Sequence, residues 1–488
     1  MNYGIMMSCR VEDLLCQVPR HKNWTQDDET AAYTTALDIA LANRPDAWAE
    51  GNIRIGDYIL LIDSDTRVPA DSFSDAVSEM ASSPSVGILQ FTSGVMQIQH
   101  DYFENGIAFF TNLVYAAIRY TVSNGDVAPF VGHNALLRWS AIQRVAYEDE
   151  DGYQKFWSES HVSEDFDMSL RLQCKGYIIR LAHWAGDGFK EGVSLTVYDE
   201  LARWEKYAFG CNELLFRPLR YWYKGPFTPL FKQFLFSKIR FTSKITIVSY
   251  IGTYYAIGAA WIMTLVNYFL IGWFNGYLDK YYIDSWKVWF SLVIVFNGLG
   301  NVGLAAMRYR DEETPKTSKT KSGGAIKGFF GHRECPPPFP NSPPLIPILT
   351  PQNKLPPLTP PPPTTKVLTN LKYTPLLSLF LGGLSLHVSA ALLAHMCGYN
   401  MTWGATAKET SRTSFFVEVP RILREFKWSM VFSLGGIGVM VLLGGAGGLV
   451  PREWVIRDAV AVAPLGVVCG SHLLVPVVLN PGLMVFSY

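Results

Sequence analysis

Few charged residues, and no excess of either sign, distinguish this 488-residue sequence. Charged residues make up 17% of it, against an average of about 25% in soluble domains. The 42 basic and 42 acidic residues cancel, so the net charge gives no attraction to nucleic acid, and we expect no nucleic-acid partner. A hydrophobic content of 49% excludes a disordered chain.

Cysteine is scarce and forms no recognisable framework. The seven cysteines are an odd number, and no two of them make a C-x-x-C pair. Neither a disulfide scaffold nor a zinc ribbon fits this pattern. We therefore expect reduced thiols that face a cytosol.

Long runs that are both apolar and uncharged are absent before residue 245 and frequent after it. Earlier apolar stretches are short and are interrupted by Asp, Glu, Arg or Lys. Five later stretches reach the roughly 20 residues that cross the hydrocarbon core of a bilayer. They cover residues 245–278, 288–307, 373–407, 428–451 and 459–488. The chain thus divides into a water-soluble front part and a membrane-embedded back part.

The front part alternates between helix-like and strand-like segments. Residues 28–42 have a helical pattern, whereas DYILLIDSD, residues 57–65, is a continuous apolar run that ends in carboxylates. Such a run favours a strand covered on both faces, as in a parallel sheet. We predict an α/β fold of the doubly wound type, followed by a multi-span α-helical membrane region.

Proline is concentrated between residues 311 and 372, in runs such as CPPPFPNSPP. This composition is typical of polyproline II or disordered chain, so we interpret the segment as a linker. A ligand for SH3 or WW domains and retained non-coding sequence are the alternatives. The other predicted units are a soluble domain (1–214), an amphipathic interfacial segment (215–244), a transmembrane pair (245–310), an interfacial or membrane segment (373–428) and a second transmembrane pair (429–488).

Basic residues indicate the orientation in the membrane. Residues 203–244 contain nine Lys and Arg residues, whereas the connection between the first two spans, 279–287, contains two. The positive-inside rule therefore places the soluble domain in the cytosol. A full crossing by the third stretch would put the basic residues of 408–427 outside. We interpret that stretch as partly interfacial, with His387 and His395 on its polar side, which leaves four or five spans.

Two carboxylates follow the strand-like run. Asp63 and Asp65 are two residues apart, and in an extended chain such residues face the same way, so both can meet one ligand. Oxygen donors of this kind suit Mg²⁺ or Mn²⁺ bridging a diphosphate. An acidic cap on a strand-to-loop turn is the alternative.

A second acidic group opens the segment SEDFDMSLRLQCKGY. Ser163 is a good N-cap, and Glu164, Asp165 and Asp167 occupy the first helical turn, where the helix dipole favours anions. Helix stability alone accounts for this pattern. The functional interpretation makes Asp165 a general base whose pKa is tuned by crowded carboxyl groups.

A third motif is ELARWEKYAFG, residues 200–210. Arg203 and Trp204 point about 100° apart on a helix, so one is available for a phosphate and the other for stacking. An ordinary amphipathic helix is the alternative. The basic and aromatic stretch that follows, residues 214–236, reads as a segment lying at the membrane surface.

Taken together, D-x-D, S-E-D and R-W in this order, followed by an interfacial segment and spans, resemble the processive synthases of glycosyltransferase family 2, such as cellulose, chitin and hyaluronan synthases. PFVGHNALLRWSAI (129–142) resembles the family's G-x-x-x-x-x-R segment near the acceptor, and TWGATAKE (402–409) resembles its gating loop. The similarity covers nearly all of the chain outside 311–372. SEDFDMSLRL, YDELARWEKYAFG and NMTWGATAKE are most similar to fungal type 2 glycosyltransferases that maintain the outer cell-wall surface and support hyphal growth on solid matrices.

The resemblance implies a family-A-like, nucleotide-sugar-binding domain in a multi-pass protein of the plasma membrane. Such an inverting hexosyltransferase would use a UDP-sugar to extend an outer cell-wall polysaccharide. Its partners would be the nucleotide-sugar donor, the growing glycan acceptor and the lipid bilayer. Mg²⁺ or Mn²⁺ would be the cofactor.

The same resemblance assigns roles to single residues. Asp63 and Asp65 would bind the metal and the diphosphate, and Asp165, beside Glu164, would deprotonate the acceptor hydroxyl. Arg203 and Trp204 would hold the diphosphate and the acceptor sugar. The remaining predicted substrate- and nucleotide-binding residues are Gly132, His133, Thr406 and Lys408.

Two departures from the family pattern bear on activity. Glu200 stands where the family usually has Gln or Arg. The family's first Asp, which holds the uracil or ribose on an earlier strand, has no counterpart, and MNYGI resembles the segment after that strand. We therefore expect the chain to begin inside the domain, to lack part of the donor site and to insert into membranes without polymerising sugar.

Three other functions remain open. A non-processive transferase acting on lipid or protein would lack the gating loop and the interfacial helix. A transporter would need charges along an intramembrane path, and the uncharged stretches offer few. An inactive fragment that binds partners fits the missing first Asp.

The orientation is testable with sealed microsomes. Because basic residues flank the first span on the domain side, added protease should digest the soluble domain from outside. The sequon at Asn23 should stay unmodified, since a cytosolic segment does not meet the glycosylation machinery. Complete protection of the domain together with glycan addition at Asn23 would contradict the predicted orientation.

Overall fold

The computed structural model describes residues 1–483 with gaps at 45–46, 124–126, 149–151, 153, 185–187, 275–278, 314–362, 405–413 and 446–447. Thr406 and Lys408, two predicted nucleotide-binding residues, lie outside the described residues. So does most of the predicted linker 311–372, although helix extends into it at both ends, to Glu313 and from Pro363.

Eight strands and sixteen α-helices make up the described part of the chain. The strands are β1 (Tyr58–Leu61), β2 (Val86–Phe91), β3 (Ser93–Met96), β4 (Ala135–Arg138), β5 (Tyr147–Glu148), β6 (Gln154–Lys155), β7 (Ile178–Ala182) and β8 (Phe189–Gly192). The helices of the front part are α1 (Asn2–Cys16), α2 (Gln26–Ala42), α3 (Ser72–Ser82), α4 (Tyr102–Val122), α5 (Trp139–Gln143), α6 (Glu164–Cys174), α7 (Val197–Leu215) and α8 (Pro229–Phe236). Those of the back part are α9 (Phe241–Phe274), α10 (Asp279–Leu292), α11 (Gly300–Glu313), α12 (Pro363–Gly382), α13 (Ser385–Cys397), α14 (Phe415–Glu425), α15 (Lys427–Leu443) and α16 (Ala459–Val478).

The main sheet is mixed, with strand order β1-β4-β2-β7. β2 and β7 run parallel, whereas β4 is antiparallel to both β1 and β2. The α/β class is confirmed, but the all-parallel arrangement that we predicted is not observed. Because β1 lies at the end of the described sheet, its residues are half-buried rather than covered on both faces.

The two faces of the central strands carry separate apolar clusters. Ile88 and Leu137 pack on one face against Ile142, Phe156 and Met168. The alternate residues, Leu89 and Leu136, pack on the other face with Met80 and Phe189. Two-sided burial of β2 and β4 explains why these strands read as continuous apolar runs in the sequence.

Within the described part of the chain, four helices are long and apolar enough to cross a membrane: Phe241–Phe274, Ile283–Arg310, Thr364–Cys397 and Ala459–Val478. A fifth span is formed if the pair α14 and α15, bent by 75°, is counted as one. These numbers agree with the predicted four or five spans.

The third apolar stretch belongs to a helix of span length, and a sharp bend lies in the following pair. The partly interfacial placement of this stretch stays a prediction. His387 and His395, predicted to lie on the polar side of this stretch, face α7: His387 Nδ1 is 2.8 Å from Glu205 Oε1, and His395 Nδ1 accepts from Asn212 Nδ2 at 2.9 Å. A buried imidazole needs a polar partner, and α7 supplies one at each position.

The front and back parts share one apolar core. Phe103, Val197 and Phe209 of the front part pack in one cluster with residues of the membrane helices, among them Tyr254, Phe380, Val388 and Val475. Helix α7 runs through this cluster and packs along α13, so it belongs to both parts at once.

Arg138, the Arg of the G-x-x-x-x-x-R segment, is turned towards the sheet. Its guanidinium donates to the carbonyl oxygens of Val86 at 2.9 Å, of Ser83 at 3.1 Å and of Met80, and it lies over the Tyr58 ring. These contacts tie β4 to the end of α3. Arg138 therefore helps to hold the fold together, and the position of its segment near an acceptor stays a prediction.

Replacing Arg138 by Met should lower the free energy of unfolding by about 2 kcal/mol or more, because three carbonyl groups lose a charged donor. Thermal denaturation of the detergent-solubilised protein measures the effect. Arg20→Met is the matched control, since Arg20 pairs with Glu29 at the surface, where solvent screening leaves an ion pair little effect on stability. Equal shifts for the two variants would assign Arg138 no special structural role.

Candidate active site

The D-x-D carboxylates lie in a turn rather than on a strand. β1 ends at Leu61, and the Thr66 amide donates to the Asp63 carbonyl oxygen at 3.1 Å. The Asp63 side chain is 61% exposed, whereas the Oδ2 atom of Asp65 is buried. The same-face argument fails here because it holds only for extended chain. The Asp63 carboxylate instead faces solvent, whereas that of Asp65 faces the interior.

The loop between residues 131 and 134 has an unusual backbone that a buried side chain holds in place. Gly132 and Asn134 have positive φ angles of 87° and 51°. Gln90 of β2 accepts from the Val131 amide at 2.9 Å and donates to the carbonyl oxygens of His133 and Asn134. Backbone strain that neighbours enforce in this way is characteristic of functional sites.

This loop brings two of the predicted motifs together. His133 Nδ1 is 3.8 Å from Asp63 Oδ2. Gly132 packs against Asp165, so closely that a Cβ atom at Gly132 would lie 3.1 Å from Asp165 Oδ2. The structure therefore places Gly132 and His133 between the D-x-D turn and the candidate base.

Glu191 of β8 is a site residue that the sequence analysis missed. Its Oε2 atom pairs with His133 Nε2 and accepts from Asn134 Nδ2 at 3.4 Å, while Tyr115 donates to Oε1 at 3.5 Å. Burial lowers the pKa of His133, but the hydrogen bond to Glu191 and the nearby carboxylates outweigh it, so this pKa is raised. The surrounding sequence, FKEGVS, contains no motif that would have identified Glu191.

Asp165 lies half-buried in the first turn of α6. Its Oδ1 atom accepts from the Phe166 amide at 2.7 Å. Burial raises the pKa of the carboxyl group to about 6; Glu164 adds to the increase, and the Phe166 hydrogen bond opposes it. Asp167, by contrast, forms a 2.7 Å ion pair with Arg171. Of these neighbouring carboxylates, Asp165 therefore has the properties of a base tuned toward neutral pH.

Arg203 and Trp204 are oriented by Glu200 of the same helix. Trp204 Nε1 donates to Glu200 Oε1 at 3.1 Å, and Arg203 Nη1 is 3.7 Å from Glu200 Oε2. Burial lowers the pKa of Arg203, yet the charges of Glu200, Glu191 and Asp65 raise it overall. Glu200, which stands where the family usually has Gln or Arg, thus orients the side chains of Arg203 and Trp204.

The carboxylates near the loop suit a metal that is completed by its ligand. Among the described residues, no three His, Cys, Asp or Glu side chains are grouped so as to hold an ion by themselves. Mg²⁺ and Mn²⁺ sites in nucleotide-binding proteins use one or two carboxylates together with phosphate oxygens and water. Asp63 and Asp65 provide that donor set.

The comparisons with known proteins identify the family of part of the chain. Residues 58–275 match the family model described as Glycosyl transferase family group 2. None of the curated proteins matches the chain. The matched segment contains the mixed sheet, the D-x-D turn, Asp165 and α7, and it ends with α9. The processive type and the fungal similarity stay predictions. Residues 58–275 form a glycosyltransferase family 2 domain, which precedes a helical region with several candidate membrane-spanning helices.

Proposed function

We propose that the protein is a membrane-bound, inverting hexosyltransferase that uses a UDP-sugar to extend an outer cell-wall polysaccharide at fungal surfaces. The observation that carries this proposal is the convergence of Asp63, His133 and Asp165 on one loop inside a family 2 domain. In this proposal the protein lies in the plasma membrane and its catalytic domain faces the cytosol, as the basic residues of 203–244 predict.

Asp165 acts as the general base. A sugar hydroxyl is a poor nucleophile, so a positioned carboxylate must take its proton as the oxygen attacks the anomeric carbon. The new glycosidic bond forms as the bond to the diphosphate oxygen breaks, and the proton goes to Asp165. One displacement of this kind inverts the anomeric configuration and needs no covalent intermediate.

The leaving diphosphate gains negative charge, which cationic side chains stabilise. In this proposal, two side chains supply that positive charge. They are Arg203, which pairs with Glu200, and His133, which pairs with Glu191. Asp63 and Asp65 would hold Mg²⁺ or Mn²⁺, which supplies Lewis-acid stabilisation of the diphosphate when bound. Trp204 provides the apolar face on which an acceptor sugar stacks.

The position of Asp165 supports the proposal that the product passes from the active site towards the membrane helices. Phe166, next to Asp165, stacks edge-on against Tyr250 of α9, the first candidate span. Trp204 likewise contacts Tyr254 of α9 and Phe380 of α12. An acceptor bound at Trp204 therefore lies where the catalytic domain meets the membrane helices.

Membranes that carry the protein extended upstream by a strand with the family's first Asp should transfer label from one of a panel of radiolabelled nucleotide sugars to a polymer in the presence of Mg²⁺ or Mn²⁺. The product should have inverted anomeric configuration. Transfer of a single sugar to lipid or protein would replace the polymer-forming proposal with a non-processive one, and failure of every donor would contradict the transferase proposal for this chain.

Replacing Asp165 by Asn should lower turnover by roughly 100-fold or more and leave the donor KM nearly unchanged. Since the carboxylate must be ionised to accept a proton, wild-type turnover should rise with pH through about 6, the pKa of Asp165. Asp167→Asn is the control, because that side chain pairs with Arg171. Wild-type turnover in the Asp165 variant would remove it from the mechanism.

Replacing Asp65 by Ala should weaken binding of the donor nucleotide when Mn²⁺ or Mg²⁺ is present and have little effect after chelation, because the carboxylate acts through the ion. Titration calorimetry with the nucleoside diphosphate, with and without EDTA, distinguishes the two conditions. Equal losses in both would show that Asp65 supports the turn and not the metal.

A further inference from the structure

A glycine in the middle of α7 touches the residue that starts the S-E-D motif. Gly210 packs against Ser163 so tightly that a Cβ atom at Gly210 would overlap the Ser163 hydroxyl oxygen and lie 2.8 Å from Ser163 Cβ and 3.1 Å from its backbone nitrogen. Only hydrogen fits at this point. Glycine in a helix interior is less favourable than alanine, so the close approach explains why glycine occupies this position.

A second contact lies one turn further along the same face of α7. The backbone N–H of Val162 donates to Glu213 Oε2 at 2.7 Å. Residues three apart on a helix lie side by side, so Gly210 and Glu213 meet the two consecutive residues Ser163 and Val162. Burial raises the pKa of Glu213 to about 7, and the hydrogen bond from Val162 opposes this increase.

These two contacts take the place of the side-chain capping hydrogen bond that usually stabilises the start of a helix. Ser163 occupies the N-cap position of α6, but its hydroxyl makes no capping hydrogen bond there, contrary to the expectation from sequence. Its carbonyl oxygen does accept from the Asp167 amide at 3.0 Å. The start of α6 is therefore fixed from outside, by α7.

The same helix also carries Arg203 and Trp204, two turns before Gly210. A helix is rigid over this distance, with a rise of about 1.5 Å per residue. Contacts that fix residues 162 and 163 on α7 therefore fix Asp165 relative to Arg203. Catalytic groups must keep their geometry within about 0.5 Å, and a misplacement of about 1 Å can lower the rate about 100-fold.

We propose that Gly210 and Glu213 are positioning residues, which hold Asp165 at a set distance from Arg203 and Trp204 through Ser163 and Val162. The proposal rests on the proposed role of Asp165 as the base. Neither residue touches substrate. Each acts through the backbone that leads into α6.

The first test uses steric rescue. Gly210→Ala should push Ser163 away and lower turnover by roughly 10- to 100-fold with little change in donor KM. Adding Ser163→Gly removes both overlapping side-chain atoms, so the double variant should recover at least part of the loss. Gly252→Ala is the matched control, a helical glycine of α9 with nothing within 4 Å of the added methyl group. Loss without recovery, or equal turnover in Gly210→Ala and Gly252→Ala, would overturn the proposal.

The second test follows the hydrogen bond. Glu213→Gln keeps an oxygen acceptor for the Val162 amide, whereas Glu213→Leu removes it. Amide hydrogen exchange in the peptide 158–166 should be faster in the Leu variant and near wild type in the Gln variant, and turnover should change in parallel. Unchanged exchange in Glu213→Leu would contradict the contact itself.

The two tests separate this inference from the function on which it rests. If Asp165→Asn retains turnover, the base assignment fails, while exchange in 158–166 still reports whether α7 holds the segment. If Asp165→Asn is inactive and Gly210→Ala loses stability but not turnover per folded molecule, the base assignment stands and the positioning role is wrong. Where Gly210→Ala fails to fold, the double variant and the Glu213 pair decide the matter.

Discussion

Helix α7 is the constraint on which the rest of the arrangement depends, because it contacts both the front and the back part of the molecule. Gly210 and Glu213 face the start of α6. Glu205 and Asn212 form hydrogen bonds with imidazoles of α13. Buried polar groups are costly to separate from their partners, so these pairs fix how α7 lies against both neighbours.

The site combines buried carboxylates with backbone strain, and both carry a cost in stability. Asp165 is held where burial disfavours its charge, and Asn134 is held at a positive φ angle that non-glycine residues rarely adopt. Gln90 offsets part of this cost with hydrogen bonds to the loop, and Glu191 does so by pairing with His133. A fold selected for stability alone would have relaxed these features. Their coincidence around one loop supports the proposed active site.

Sequence patterns predicted the class of fold and named candidate site residues, but they did not predict how those residues meet. Apolar runs revealed the spans and the buried strands because their length and composition are local properties. The antiparallel direction of β4 left no such trace, since a four-residue strand reads the same in either direction. The D-x-D turn was misread because the end of β1 at Leu61 depends on its pairing with β4. Glu191 reaches His133 only through tertiary folding, whereas Gly210, a glycine inside a helix, was a signal that could have been used.

The apolar core shared by the two parts bears on how such proteins can diversify. A catalytic domain with its own closed core can be moved between membrane anchors, since nothing in its interior depends on the anchor. Here Val197 and Phe209 are packed in the same cluster as Tyr254, Val388 and Val475. The domain and its helices are therefore expected to evolve together. Recombination that exchanged either part alone would expose an unmatched apolar surface. Substitutions in one part of this core must be accompanied by substitutions in the other.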